Sequence, residues 1–166
     1  MANIFSDKEW DNGEPAALLK RHEVCITCFP RAWEAGRHIS LEWNVSDFPP
    51  SDVKTIPDQP GVYVFVVEPN LFGVLPVNTV FYVGKATELR DRIRKYIGEL
   101  NLTPRTTTRD KVHKMINRWN GHLKYYYTVT KSVADAEQIE DIMIQSLIPP
   151  FNTKYSGEIN KAQRAF

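Results

Sequence analysis

VFYVGKATELRDRIRKY, residues Val80 to Tyr96, changes its period halfway along. Its opening residues are β-branched and aromatic, as a strand requires, and Gly84 interrupts them with a turn signal. From Leu89 onward the apolar residues Leu89, Ile93, Tyr96 and Leu100 recur at helical spacing. One stretch therefore encodes a strand, a glycine turn and a helix. Arg92 stands beside that apolar face, four residues before Tyr96 and stacked next to it. Upstream, GVYVF (Gly61 to Phe65) reads as a second strand of the same kind.

Downstream, SVADAEQIEDIMIQSL (Ser132 to Leu147) has the periodicity of a helix capped by Ser132. At about 100° per residue, Val133, Ala136, Ile139, Met143, Ile144 and Leu147 share one face. Glu140 falls inside that face. Burying an unpaired carboxylate costs several kcal/mol, so Glu140 needs a cation from the protein, a hydrogen-bond network or a bound metal. A salt bridge at the rim of the core is the plain alternative to a functional role.

The ordered set Gly61-Val62-Tyr63, Tyr82-Val83-Gly84, Lys85-Ala86, Leu89, Arg92, Tyr96, Glu140 and Pro150-Phe151-Asn152 resembles the GIY-YIG nuclease superfamily. It looks most like the incision nuclease of bacterial nucleotide excision repair, and it is also similar to GIY-YIG restriction and homing endonucleases. The resemblance covers roughly Pro60 to Lys154. It implies an α+β fold: a small three-stranded antiparallel sheet flanked by helices. It also implies a divalent-metal-dependent endonuclease hydrolysing phosphodiester bonds in DNA, in restriction, antiviral (phage) defence or DNA repair. A non-catalytic nucleic-acid-binding or assembly subunit and a structured-RNA nuclease are the alternatives, since phosphate chemistry is shared by DNA and RNA.

Phosphodiester hydrolysis needs a base for water, neutralisation of the phosphate and help for the leaving oxygen. Under the resemblance Glu140 holds a single Mg²⁺ or Mn²⁺ ion with waters completing its shell, and Arg92 meets the non-bridging oxygens as a forked donor. Lys85 adds charge and depresses a neighbouring tyrosine's pKa. Tyr63 is the expected general base, with Tyr82 as runner-up. Tyr96 orients the attacking water or its neighbours, and Asn152 steadies the region through its amide. Gly61 and Gly84 are the motif glycines, Gly84 letting backbone approach the phosphate.

With 166 residues, 42% hydrophobic and 25% charged, the chain suits one main globular domain. The N-terminus lacks a signal-peptide layout and no apolar run approaches a membrane span, so a cytoplasmic protein is expected. Residues 1–57 read as an N-terminal extension: a short helix at Glu14 to Arg21, then a β-hairpin from Glu23 to Phe29 and His38 to Val45. In the second run Ile39, Leu41, Trp43 and Val45 alternate with polar residues. The proline-rich connector SDFPPSDVKTIPDQP closes the extension. Residues 58–154 form the nuclease core, with strands at Gly61 to Val67, Val80 to Val83 and Leu123 to Thr130, and 155–166 are a tail.

Net charge is only +1, but ten basic residues stand against four acids between Lys85 and Arg118. Arg90, Arg94, Lys95 and, in the insertion 97–119, Arg105, Arg109, Lys111 and Lys114 are candidates for tracking a nucleic-acid backbone. Cys25 and Cys28 form a CxxC within a strand-like run, where residues three apart face opposite sides, so packed free thiols are expected rather than zinc or a redox pair. His113 and His122 are read as solvent-facing. No DNA-reading module is recognisable, so a homodimer or a larger protein partner is expected to supply targeting. The tryptophans of the extension (Trp10, Trp33, Trp43) and the apolar loop at Leu71, Phe72 and Leu75 are the candidate docking surfaces.

Overall fold

The computed structural model describes residues 30–34, 36–68, 79–103, 105–153 and 155. Four strands, β1 (Asn44–Asp47), β2 (Gly61–Val67), β3 (Thr79–Ala86) and β4 (Leu123–Val129), form one antiparallel sheet in the order β1-β4-β2-β3. Among the described residues four α-helices accompany it, a single turn α1 (Pro30–Trp33), then α2 (Leu89–Glu99), α3 (Asp110–Arg118) and α4 (Val133–Leu147), with a 3₁₀ turn at Val53–Thr55. The architecture is the α+β one expected, and β2 matches its expected bounds.

The sheet has a fourth strand because the extension contributes one. Asn44 to Asp47 pair with Tyr127 to Lys124 of β4, so the second expected hairpin run adds to the core sheet and is strand only from Asn44. Its expected partner, Glu23 to Phe29, lies outside the described residues, as do the Glu14 to Arg21 helix, Trp10, both cysteines and the Leu71 to Leu75 loop. The alternation holds from Ile39 to Trp43, which are half-buried at every second position, but Val45 is exposed.

β2 is buried on both faces, and that explains its unbroken apolar run. On one side Tyr63, Phe65, Tyr125 and Tyr127 pack with Leu89, Ile93 and Tyr96 of α2 and Val112, Met115 and Ile116 of α3. On the other, Val62, Val64, Val66 and Val83 meet Ala136 and Ile144 of α4. The α2 face matches the expected stripe. On α4 the stripe frays, with Val133 and Leu147 exposed at its ends. Ser132 caps α4 as expected, accepting from Asp135 N–H at 3.1 Å.

His113 is a correction. It is buried, and its Nδ1 lies 3.0 Å from the Glu99 carbonyl oxygen. It faces inward because α3 packs its Val112, Met115 and Ile116 side onto the sheet and His113 lies on the border of that face. Among the described residues no helix is long and apolar enough to cross a membrane.

Candidate active site

β3 is an edge strand, and an edge leaves backbone groups unpaired. At alternate residues those groups are claimed by the segments around α4. The Phe81 carbonyl accepts from Phe151 N–H at 3.0 Å. Asn152 closes a two-bond clasp on Val83, accepting from its N–H at 2.9 Å and donating to its carbonyl at 2.8 Å. Lys85 N–H donates to Glu140 Oε1 at 3.1 Å. Between them sits Gly84, against which the Tyr63 ring lies so closely that a Cβ would fall 2.4 Å from Tyr63 Oη and 2.5 Å from its Cζ. The tripeptide Val83-Gly84-Lys85 thus gathers Asn152, Tyr63 and Glu140.

Gly84 lies within β3 and has a steric reason of its own: the missing Cβ makes room for a tyrosine. Gly61 has a similar steric reason, since a Cβ there would lie 2.2 Å from the Thr128 carbonyl oxygen. Asn152 is buried and has both amide ends committed to backbone, so it positions the strand. Asn152→Ala would strip two buried backbone groups of their partners, at about 1–3 kcal/mol for each. Urea unfolding should show a loss of about 3 kcal/mol, and Asn152→Asp should be no better, because a carboxylate cannot donate to the Val83 carbonyl.

Glu140 is largely sheltered, its side chain 17% exposed. Burial raises its pKa, only partly offset by the Lys85 ammonium, 3.8 Å from Oε2, and by the Lys85 N–H. Lys85 is engaged mainly by the exposed Glu137, whose hydrogen bond raises the lysine's pKa. Strand alternation puts Lys85 on the α4 side with Val83, and both its ion pairs are to α4 carboxylates. The expectation that Lys85 depresses a tyrosine's pKa is therefore corrected.

The tyrosines lie on the other face. Tyr63 is 1% exposed and its hydroxyl is 2.6 Å from that of Tyr96. Tyr82 stacks on Tyr63 with ring centroids 6.3 Å apart, and Tyr125 stacks on it at 5.4 Å. Burial pushes Tyr63 well above the ordinary phenol range, reinforced by Tyr96 and Tyr82 and partly opposed by Arg92. Tyr82 is also raised, by burial first and then by Tyr96, while Arg109 pulls it back. Tyr82 is only half-buried, so the more accessible of the two tyrosines is the runner-up. The Arg92 guanidinium has no hydrogen bond or ion pair among the described residues, and it lines an open groove of about 490 Å³ with Lys95, Gly98, Glu99, Leu102 and Arg109.

Two of the basic candidates have other work. Arg90 clamps the connector, donating from Nε to the Ile56 carbonyl at 2.7 Å and pairing with Asp58. Arg109 turns inward, its Nη2 donating to Tyr96 Oη at 3.0 Å and its Cζ 4.7 Å from the Tyr96 ring centroid. Arg94, Arg105 and Lys111 are exposed. Lys95 and Lys114 form exposed i,i+4 pairs with Asp91 and Asp110, which leaves them accessible. Sequence reasoning missed Tyr125, although the alternation of LKYYYTV puts it on the face of Tyr127. It also missed the contact of Arg109 with Tyr96, for which the sequence holds no signal.

Glu140 fits a single hard cation. Oε1 is anchored by a backbone N–H, while Oε2 has only a loose contact to an ammonium that already pairs with Glu137. Among the described residues no cluster of three or more His, Cys, Asp or Glu side chains is found, so one carboxylate would hold the ion with waters, as Mg²⁺ tolerates.

The sequence profile of the UvrC-like GIY-YIG domain matches residues 59–153, more than half of the chain. UvrABC system protein C of Nitrosomonas eutropha is 38% identical over 106 residues, which span 64% of this chain and 15% of that protein. The Streptomyces griseus protein of the same name is 37% identical over 104 residues, 62% of this chain and 12% of its own length. Among solved structures, the magnesium-bound GIY-YIG N-terminal endonuclease domain of UvrC from Thermotoga maritima aligns over 61% of this chain and 91% of its own, at 22% identity and a TM-score of 0.42. The profile match rests on the stretch that builds three of the four strands, the tyrosine cluster and the Glu140 helix, and it shows that the chain belongs to the UvrC-like GIY-YIG domain family.

Proposed function

We propose that the chain is a divalent-metal-dependent DNA endonuclease that hydrolyses phosphodiester bonds. The observation that carries this reading is the convergence on Val83-Gly84-Lys85 of a sheltered carboxylate and a tyrosine cluster, with the charge of Arg92, which has no ion-pair partner among the described residues, acting on Tyr63. Glu140 would hold one Mg²⁺ or Mn²⁺ ion, which when bound supplies Lewis-acid stabilisation to the phosphate and the leaving oxygen. Arg92, facing an open groove, is a forked donor for the non-bridging phosphate oxygens. Tyr82 is the better-placed base for the attacking water, because it is half-buried while Tyr63 is fully buried and hydrogen-bonded to Tyr96. Tyr63, Tyr96 and Asn152 hold the site in shape, and Lys85 pairs with both Glu137 and Glu140.

Arg94, Lys95, Arg105, Lys111 and Lys114 form the electrostatic footprint for a nucleic-acid backbone. The relatives matched are named as UvrABC system proteins, which favours a cytoplasmic DNA-repair setting over restriction or antiviral defence. The chain spans about 15% of the length of the first of them. Targeting is assigned to a protein partner or a second copy, and light scattering of the purified chain reads whether it self-associates. The deciding assay presents plasmid, linear duplex, single-stranded DNA and structured RNA in Mg²⁺ and Mn²⁺. Scission of DNA is expected. Cleavage of RNA alone, or binding without cleavage of any substrate, would overturn the proposal.

A further inference from the structure

Arg109 comes from the insertion, outside the motif set, yet of the insertion's candidate cations it is the one hydrogen-bonded into the tyrosine cluster. Arg105 and Lys111 are exposed and Lys114 pairs with Asp110. Its guanidinium is donor-only and permanently charged. The Tyr96 hydroxyl must therefore accept the bond at 3.0 Å, and it shares its remaining hydrogen-bonding capacity with Tyr63 Oη at 2.6 Å. A hydroxyl that accepts from a cation is held and polarised more firmly than one bonded to a neutral donor. The flat contact on the Tyr96 ring, 4.7 Å from guanidinium carbon to centroid, fixes the arginine from a second direction. The positive charge that the sequence assigns to Lys85 thus reaches Tyr82 from Arg109 and Tyr63 from Arg92.

We propose that Arg109 is a positioning residue of the nuclease site, locking the Tyr96 hydroxyl and through it the Tyr63–Tyr96 pair, rather than one more phosphate contact of the basic insertion. The inference rests on the endonuclease reading above. Burial opposes the arginine's charge, and the hydrogen bond to Tyr96 offsets it. Tyr96 sits on α2 and Arg109 at the start of α3, and their bond ties the insertion to the site.

The test is a double-mutant cycle of Arg109→Gln and Tyr96→Phe, with single-turnover cleavage at saturating DNA and DNA affinity measured separately. Arg109→Gln should slow single-turnover cleavage by about a hundredfold with affinity nearly unchanged. Arg109→Lys should recover part of the rate. In the Tyr96→Phe background Arg109→Gln should do nothing further, because the group it acts through is gone. Should the glutamine variant fail to fold, the same cycle runs with Arg109→Lys, whose ammonium keeps the charge but has no planar face for the ring. An active native chain in which the arginine variants lose affinity at an unchanged saturated rate, or in which the two effects add, overturns this inference alone. A native chain that cleaves nothing overturns the endonuclease reading and this inference with it.

Discussion

Glu140→Gln is expected to abolish DNA cleavage while making the protein more stable. The amide can still accept from Lys85 N–H, so the edge of β3 stays clasped. It cannot hold a divalent cation as a carboxylate does, and losing several kcal/mol of transition-state stabilisation lowers the rate by about a thousandfold or more. The stability change follows from the raised pKa of Glu140. For an acid whose pKa is raised by folding, the added stability is fully present below the unfolded pKa and is lost as pH rises through the folded one. At neutral pH the folded protein therefore carries a penalty that glutamine removes. Thermal melting in the absence of divalent ions should show a higher midpoint, by about 2–4 °C for each kcal/mol relieved. A lower midpoint would mean that Glu140 is a structural ion-pair partner of Lys85, the plain alternative that the sequence leaves open.

Arg92→Ala should lower the single-turnover rate by about two to three orders of magnitude and leave DNA affinity close to native. Its guanidinium has no ion-pair or hydrogen-bond partner among the described residues and borders an open groove, so removing it breaks no structural bond found there. Its charge acts on the buried Tyr63 and Tyr125 hydroxyls, and their environment changes when it is lost. Changing the exposed Arg105 instead should weaken binding and flatten its salt dependence with the saturated rate intact. Rate and affinity measured on one preparation separate the two. A loss of affinity with an unchanged saturated rate would move Arg92 from the chemistry to the binding footprint.

Much of this was legible because it is written in periodicity. The Glu140 helix, the apolar face of α2 and the bounds of β2 follow from which residues must be buried, and a lone carboxylate inside an apolar stripe is visible without coordinates. The direction of Lys85 was also legible in principle: strand alternation puts it on the face opposite Tyr82, so it could not readily act on that hydroxyl. Other features leave no side-chain pattern. Asn152 bonds the backbone of a residue 69 positions away, and a backbone partner is indifferent to sequence. Arg109 reads as one cation among ten because its partner Tyr96 lies across a loop whose path periodicity does not encode. β1 joined the core sheet because the edge of β4 was open to it, a choice settled by tertiary pairing.

The central claim, that Glu140 equips a tyrosine and arginine site to cut DNA with one divalent ion, is tested most directly by a strand-scission assay. Supercoiled plasmid is incubated with the native chain and with Glu140→Gln in Mg²⁺, in chelator, and in chelator followed by excess Mg²⁺. The account predicts nicking by the native chain in Mg²⁺, none in chelator, recovery on adding the ion back, and no nicking by the variant in any condition. Equal nicking by Glu140→Gln, or nicking by the native chain that persists in chelator, would contradict it.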